Sequence, residues 1–215
     1  VLRYQTVLFD LDGTIIDTNE LIITSFLYIL EKWFPGKFKR EDIIPQMGKP
    51  LPEQMEFFGG ADLREELVEA YRKYNVEVHD ELVREFPHIM TALIELQKLG
   101  VTMGVVTTKQ RVTAEKGAQL FGIDQFMKTF IVHQDTTHHK PHPEPILLAM
   151  KNVNADPRTT LMVGDSQYDI EGAHNAGVDA AGVAWSLKGP EFLKQFKPEY
   201  MLYDMRELIS IVKGD

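Results

Sequence analysis

Apolar positions along the chain follow two periodicities, and the order in which these alternate predicts the architecture. Val7, Leu8 and Phe9 close a strand expected over Val1 to Phe9. This short apolar run stops at Asp10, Asp12 and Gly13, as a buried parallel strand does where its carboxyl end meets a crevice. After Asp17 the spacing changes. Ile22, Phe26, Ile29, Leu30 and Trp33 recur at three- and four-residue intervals until Pro35-Gly36, which marks an amphipathic helix and its end. Glu41 to Met47, Leu51 to Phe58 and Leu63 to Val83 predict more helices, the last with Leu63, Leu67, Ala70, Tyr71, Tyr74 and Val78 on one face. No strand signal interrupts this block, and its aromatic stripes read as helix-to-helix packing.

From Phe86 the texture becomes alternating. A helix from His88 to Leu99, ended by Gly100, is followed by an apolar, β-branched strand from Val101 to Thr107 and a helix from Arg111 to Phe121. Thr129 to Val132, Thr160 to Val163 and Ala180 to Val183 predict further strands, separated by helices at Pro145 to Asn152 and Tyr168 to Ala176. The tail from Glu191 to Val212 predicts a helix, a short strand and a helix closing one edge. Strands alternating with helices imply an α/β fold, a doubly wound, Rossmann-like parallel sheet with its site at the carboxyl ends of the strands. Residues 1–16 and 84–215 are expected to form this core, with 17–83 an all-helical insertion after the first strand.

Composition narrows the chemistry. The 215 residues, 44% hydrophobic and 26% charged, suffice for one sizeable core and a smaller lobe. A net charge of -9 argues against nucleic acid or an anionic membrane as partner, so a phosphate substrate requires a locally positive site. The absence of cysteine excludes disulfides, thiol catalysis and zinc-thiolate sites. No signal segment or bilayer-length apolar run is evident, and a cytoplasmic protein is expected.

Each strand end carries reactive or anion-holding residues. Residues i and i+2 of a strand share a face, so Asp10 and Asp12 are expected to start together, with Gly13 supplying the turn. Two close carboxylates need a compensating charge, and an oxygen-only pair suits the hard ion Mg²⁺, although Asp-x-Asp-Gly by itself is also an ordinary turn. Thr107 and Thr108 follow the second strand, where a hydroxyl and backbone N–H groups near a helix start can hold phosphate oxygens or simply cap the helix. The third strand leads into His138-His139-Lys140-Pro141-His142-Pro143-Glu144-Pro145, whose prolines fix the loop. Its histidines invite a zinc reading, but prolines separate them and no acidic partner sits at zincin spacing. They are read as exposed loop residues, one of them lining the pocket. Asp165 and Asp169 follow the fourth strand, four apart, and face one site if a helix starts between them.

Taken in order, D-x-D-G-T at Asp10, Thr107-Thr108-Lys109, K-P-x-P-x-P at Lys140 and G-D-x-x-x-D at Asp165 resemble the four motifs of the haloacid-dehalogenase-like hydrolases. The resemblance implies that Asp10 is a nucleophile forming an aspartyl-phosphate and Asp12 its general acid and base. Thr107 and Thr108 would bind phosphate, and Lys140 would balance the charge of nucleophile and phosphoryl group. Mg²⁺ would be held by Asp10, Asp12 through its backbone carbonyl, Asp165 directly and Asp169 in support, with Ser166 hydrogen-bonding nearby. The helical insertion stands where the family carries a small cap. The stretches FDLDGTIIDTNELI, YNVEVHDELVREFP, VVTTK, KPHPEPIL and AGVAWSLKGPEFL are similar to the family's bacterial pyrophosphatases, which remove pyrophosphate formed when serine-phosphorylated HPr is dephosphorylated. That similarity implies pyrophosphate as substrate and a functional link to HPr without stable binding. Lys49, in the Gln46-Met47-Gly48-Lys49-Pro50 turn, is the candidate contact to the leaving group. Phosphoglycolate phosphatases and sugar phosphomutases share the four motifs and remain alternatives. A dehalogenase would need neither Asp12 nor the acidic fourth motif, and a catalytically dead relative would be expected to lack Asp10 or Lys140.

Overall fold

The computed structural model describes residues 1–215. Six parallel strands, β1 (Thr6–Phe9), β2 (Thr102–Val106), β3 (Met127–Ile131), β4 (Thr160–Gly164), β5 (Asp179–Val183) and β6 (Tyr200–Leu202), lie in the order β3-β2-β1-β4-β5-β6. The order reverses between β1 and β4, which places a crevice beyond the carboxyl ends of these two neighbours. The two-residue period of the strands distributes their side chains. Val7 and Phe9 of β1, with Leu161 and Val163 of β4, join one apolar cluster, while Leu8 and Met162 point to the other face and join a second. Helices cover both faces, among them α4 (Ile89–Lys98) and α9 (Leu208–Lys213) on one side and α6 (Glu144–Val153) and α7 (Gln167–Asn175) on the other. The doubly wound α/β architecture expected from the alternating pattern is the one observed.

Between β1 and β2 run α1 (Asn19–Trp33), the short α2 (Arg40–Ile43) and the long α3 (Leu51–Leu82). They have an apolar core of their own, in which Phe26, Leu30, Met55, Phe58, Leu67 and Tyr71 are buried together. The two helices expected over 51–58 and 63–83 are consecutive arms of α3, joined at Gly60, whose φ of 77° and ψ of 172° break the helical path. Only glycine takes that backbone conformation without strain. The chain leaves and re-enters the core through a backbone bridge: Asp17 N donates to Arg84 O and Arg84 N to Asp17 O, both at 2.9 Å.

Element ends differ from expectation for physical reasons. Residues 1–5 do not extend β1; Arg3 N and Tyr4 N donate instead to Val212 O at the end of α9, tying the first residues to the last helix. The helix expected over Glu41 to Met47 is α-helical only to Ile43 and continues as a 3₁₀ turn, Ile44–Gln46, because Pro45 has no N–H to donate. No helix of the protein is long and apolar enough to cross a membrane.

Candidate active site

Asp10 follows β1 directly, and its backbone N–H donates to Val163 O of β4 at 2.9 Å, so the two strand ends are fixed side by side. Its carboxylate accepts from Lys140 Nζ at 2.9 Å. Lys140 is almost wholly buried, and the same ammonium donates to Asp169 Oδ1 at 2.6 Å and to Val106 O at 2.8 Å. All three of its protons are therefore directed, one to β2's last carbonyl and two to carboxylates. Asp169 lies in the first turn of α7; its second oxygen accepts from Ser166 N and Ser166 Oγ, both at 3.0 Å. Helix α7 starts between Asp165 and Asp169, and Asp165 is left free to join the site.

Carboxylate oxygens of Asp10, Asp165 and Asp169 lie within 4.8 Å of one another. Thr14 Oγ1 sits between the first two, 3.4 Å from Asp10 and 3.5 Å from Asp165. Gly13 makes this approach possible: its φ is +77°, and a Cβ there would lie 2.3 Å from Asp165 Oδ2. Burial first, then the charge of Asp169, pushes Asp10 up to about 6 against the opposing pull of Lys140. Burial and the charges of Asp10 and Asp169 raise Asp165 as well. Burial alone would depress Lys140, but Asp10 and Asp169 more than offset it and the ammonium is held well above its usual value. The cluster thus carries more negative charge than one lysine balances, and its donors are all oxygen, which is consistent with a site for a hard cation.

Asp12 lies beyond β1, which ends at Phe9, so strand alternation does not by itself place it beside Asp10; both nevertheless line the same cavity. Its carboxylate, outside the three-carboxylate cluster, accepts from Thr18 Oγ1 at 2.7 Å and Lys109 Nζ at 2.8 Å. Asp12 and Thr107, Thr108, Lys109 and Lys49 line one cavity that opens between the sheet and the helices of the insertion. Thr107 is buried, and its Oγ1 accepts from Lys109 N at 3.1 Å. Lys49 Nζ donates to Gln46 Oε1 at 3.0 Å, and Gln54 Nε2 donates to Lys49 O at 2.8 Å, which fixes the turn that presents it.

The loop histidines divide differently from the sequence-based expectation. His138 and His142 are exposed and cluster with Glu144: His138 Nδ1 lies 2.9 Å from Glu144 Oε2, and Glu144 N donates to His142 Nδ1. The histidine that lines the cavity is His133, which follows β3 and stacks on His139 with ring centroids 4.2 Å apart. Thr14, Thr18 and His133 were not singled out in the sequence, nor were Tyr71, Arg72 and Asn75, which α3 contributes to the same cavity. Thr14 closes the D-x-D-G-T motif but was given no role there, the others belong to no motif, and only the docking of the insertion brings the last three to the site.

A family model described as haloacid dehalogenase-like hydrolase matches residues 7–183, a span that contains Asp10, Thr107, Lys140 and Asp165 in order. The chain belongs to the haloacid dehalogenase-like hydrolases. Within this family it is 46% identical over 211 residues to pyrophosphatase PpaX of Bacillus velezensis, covering 97% of this chain and 96% of the relative. It is 44% identical over 213 residues to pyrophosphatase PpaX of Bacillus cereus, covering 99% and 98%. A haloacid dehalogenase-like hydrolase from Bacteroides fragilis superposes with a TM-score of 0.89 at 29% identity, covering 95% of this chain and 99% of that one. The helical insertion and the acidic cluster at the β1/β4 crevice are thus features of a haloacid dehalogenase-like hydrolase fold spanning the whole chain.

Proposed function

We propose that the protein is a Mg²⁺-dependent inorganic pyrophosphatase that works through a phosphorylated Asp10. The observation that carries this reading is the buried Lys140 ammonium, which orients Asp10 beside Asp165 and Asp169 at the foot of a cavity roofed by the insertion. The near-full-length similarity to two pyrophosphatases supports the choice of substrate. Asp10 and Asp165, the backbone carbonyl of Asp12, and Asp169 in support would hold the cation. Bound Mg²⁺ supplies positive charge that reduces repulsion between the anionic nucleophile and the anionic phosphoryl group.

In the first step an Asp10 oxygen forms a bond to one phosphorus, the bridging P–O bond breaks, and its electron pair leaves with the second phosphate. Asp12 gives that oxygen a proton. In the second step Asp12 takes a proton from water, the water oxygen bonds to phosphorus, and the Asp10–phosphorus bond breaks to release a second orthophosphate. Thr107 and Thr108 hold the transferring phosphoryl oxygens. Lys109 Nζ, which donates to Asp12 Oδ1 at 2.8 Å, orients that carboxylate for the proton transfers. Lys49 offers a point charge to the leaving phosphate. The family's core motifs recognise one phosphoryl group, so selectivity rests on the insertion, which acts as a lid over residues 17–83.

Steady-state assays of pyrophosphate, phosphoglycolate and a hexose phosphate on one preparation test the proposal. The expected result is a kcat/KM for pyrophosphate well above the other two. A clear preference for phosphoglycolate or a hexose phosphate would overturn the substrate assignment.

A further inference from the structure

The protein has eight arginines. The other seven place their guanidinium groups on carboxylates or backbone carbonyls, whereas Arg72 makes no hydrogen bond or ion pair. Arg72 is half-buried. Its Nε is buried without a partner, and burial holds the guanidinium below its usual value, with Glu65 only partly opposing. It stands on α3 and lines the cavity that has Asp10 and Thr107 at its foot. It shares the cavity wall with His133 of the loop after β3, whose pKa its charge lowers behind burial and His139.

The surrounding helix is braced to hold it there. Tyr71 packs on Phe26 with ring centroids 4.9 Å apart, and Asn75 Nδ2 donates to Ser25 Oγ at 3.1 Å and to Tyr71 Oη at 3.3 Å. The remaining cations of the cavity wall are engaged: Lys109 with Asp12 and Lys49 with the neutral amide of Gln46. A braced, half-buried guanidinium with no protein partner, on the wall of a cavity that also holds the nucleophile, is matched by an anionic group on the far side of the substrate.

We propose that Arg72 is a specificity-determining residue that binds the leaving phosphate of pyrophosphate with two N–H groups of its planar fork. The proposal rests on the pyrophosphatase reading given above. Two phosphate oxygens accept such a fork in parallel, which a lysine point charge does not reproduce. The leaving phosphate gains charge as the bridging bond breaks, so the contact strengthens toward the transition state. Its loss therefore lowers kcat as well as raising KM.

The test is steady-state kinetics with Mg²⁺ on wild type, Arg72→Met and Arg72→Lys, using pyrophosphate, phosphoglycolate and p-nitrophenyl phosphate, whose leaving group carries no second anionic centre. Circular dichroism checks that both variants fold. Arg72→Met is expected to lose about 10²-fold in kcat/KM on pyrophosphate, the scale for truncating one partner of a buried charge pair. The pyrophosphate to p-nitrophenyl phosphate ratio falls by a similar factor, and Arg72→Lys recovers part of it. Inhibition of p-nitrophenyl phosphate turnover by imidodiphosphate, a non-hydrolysed pyrophosphate analogue, weakens in Arg72→Met. A wild-type preference for pyrophosphate with an unchanged ratio in Arg72→Met overturns the role of Arg72 alone. A wild-type preference for phosphoglycolate overturns the pyrophosphatase reading and this proposal with it.

Discussion

Replacing Lys140 by Met removes one buried charge while keeping a side chain of similar length. Three hydrogen bonds go at once, to Asp10 at 2.9 Å, Asp169 at 2.6 Å and Val106 O at 2.8 Å. Breaking a buried ion pair by removing one partner costs about 3–5 kcal/mol, because the remaining carboxylates stay buried without their counter-charge. The Met stem restores part of the packing, which brings the expected loss to about 3 kcal/mol, the low end of that range. A domain of this size shifts about 2–4 °C per kcal/mol, so the midpoint of thermal unfolding should fall by about 6–12 °C. Stabilities of about 5–15 kcal/mol leave the variant folded at room temperature. Urea unfolding in chelator, followed by far-ultraviolet circular dichroism and tryptophan fluorescence, measures the difference. Trp185 reports on the site itself, since its Nε1 donates to Thr14 O at 3.3 Å. A loss below about 1 kcal/mol, within the range of an exposed pair, would refute the claim that Lys140 holds the two carboxylates in place.

Asp10→Asn should abolish turnover of pyrophosphate while leaving the circular dichroism spectrum unchanged, and Asp12→Ala should cost at least about 10²-fold in kcat, the usual contribution of a general acid and base. Activity should vanish in excess chelator, return with Mg²⁺ and be inhibited by Ca²⁺, whose longer and more numerous bonds place the nucleophile badly for in-line attack; full activity in chelator would contradict the metal assignment. Arg84→Pro deletes the N–H that donates to Asp17 O at the lid's hinge and should lower kcat through closure. Identical scattering profiles of the wild type with and without a phosphate analogue would count against a moving lid.

Much of the site was legible because Asp10, Thr107 and Asp165 each sit just past a strand and so announce themselves locally. The apolar run ending at Asp10, the strand before Thr107 and the strand before Asp165 could be read from a dozen residues each, and the fold then places these ends side by side. The break in α3 was legible for the same reason: Gly59-Gly60 interrupts the helical spacing where the backbone turns. Asp10 and Asp12 line one cavity, as expected, although β1 ends at Phe9 and strand alternation is not what places them there. Which histidine lines the cavity depended on the course of two loops, and nothing in the spacing of His133, His138, His139 and His142 encodes that course. Arg72 was the least legible. On a polar helix face it looks like any solvated arginine, and its partial burial arises only when the kinked α3 settles over a sheet formed from residues far away in the chain.

The central claim is that Asp10 carries the phosphoryl group taken from pyrophosphate. Rapid acid quenching of the Mg²⁺-loaded enzyme during turnover of radiolabelled pyrophosphate, followed by borohydride reduction and peptide mapping, tests it most directly. The account predicts label on the peptide that contains Asp10 and conversion of Asp10 to homoserine on reduction, both absent in Asp10→Asn. Steady production of orthophosphate with no label on the enzyme at any quench time, and with Asp10 unreduced, would contradict it.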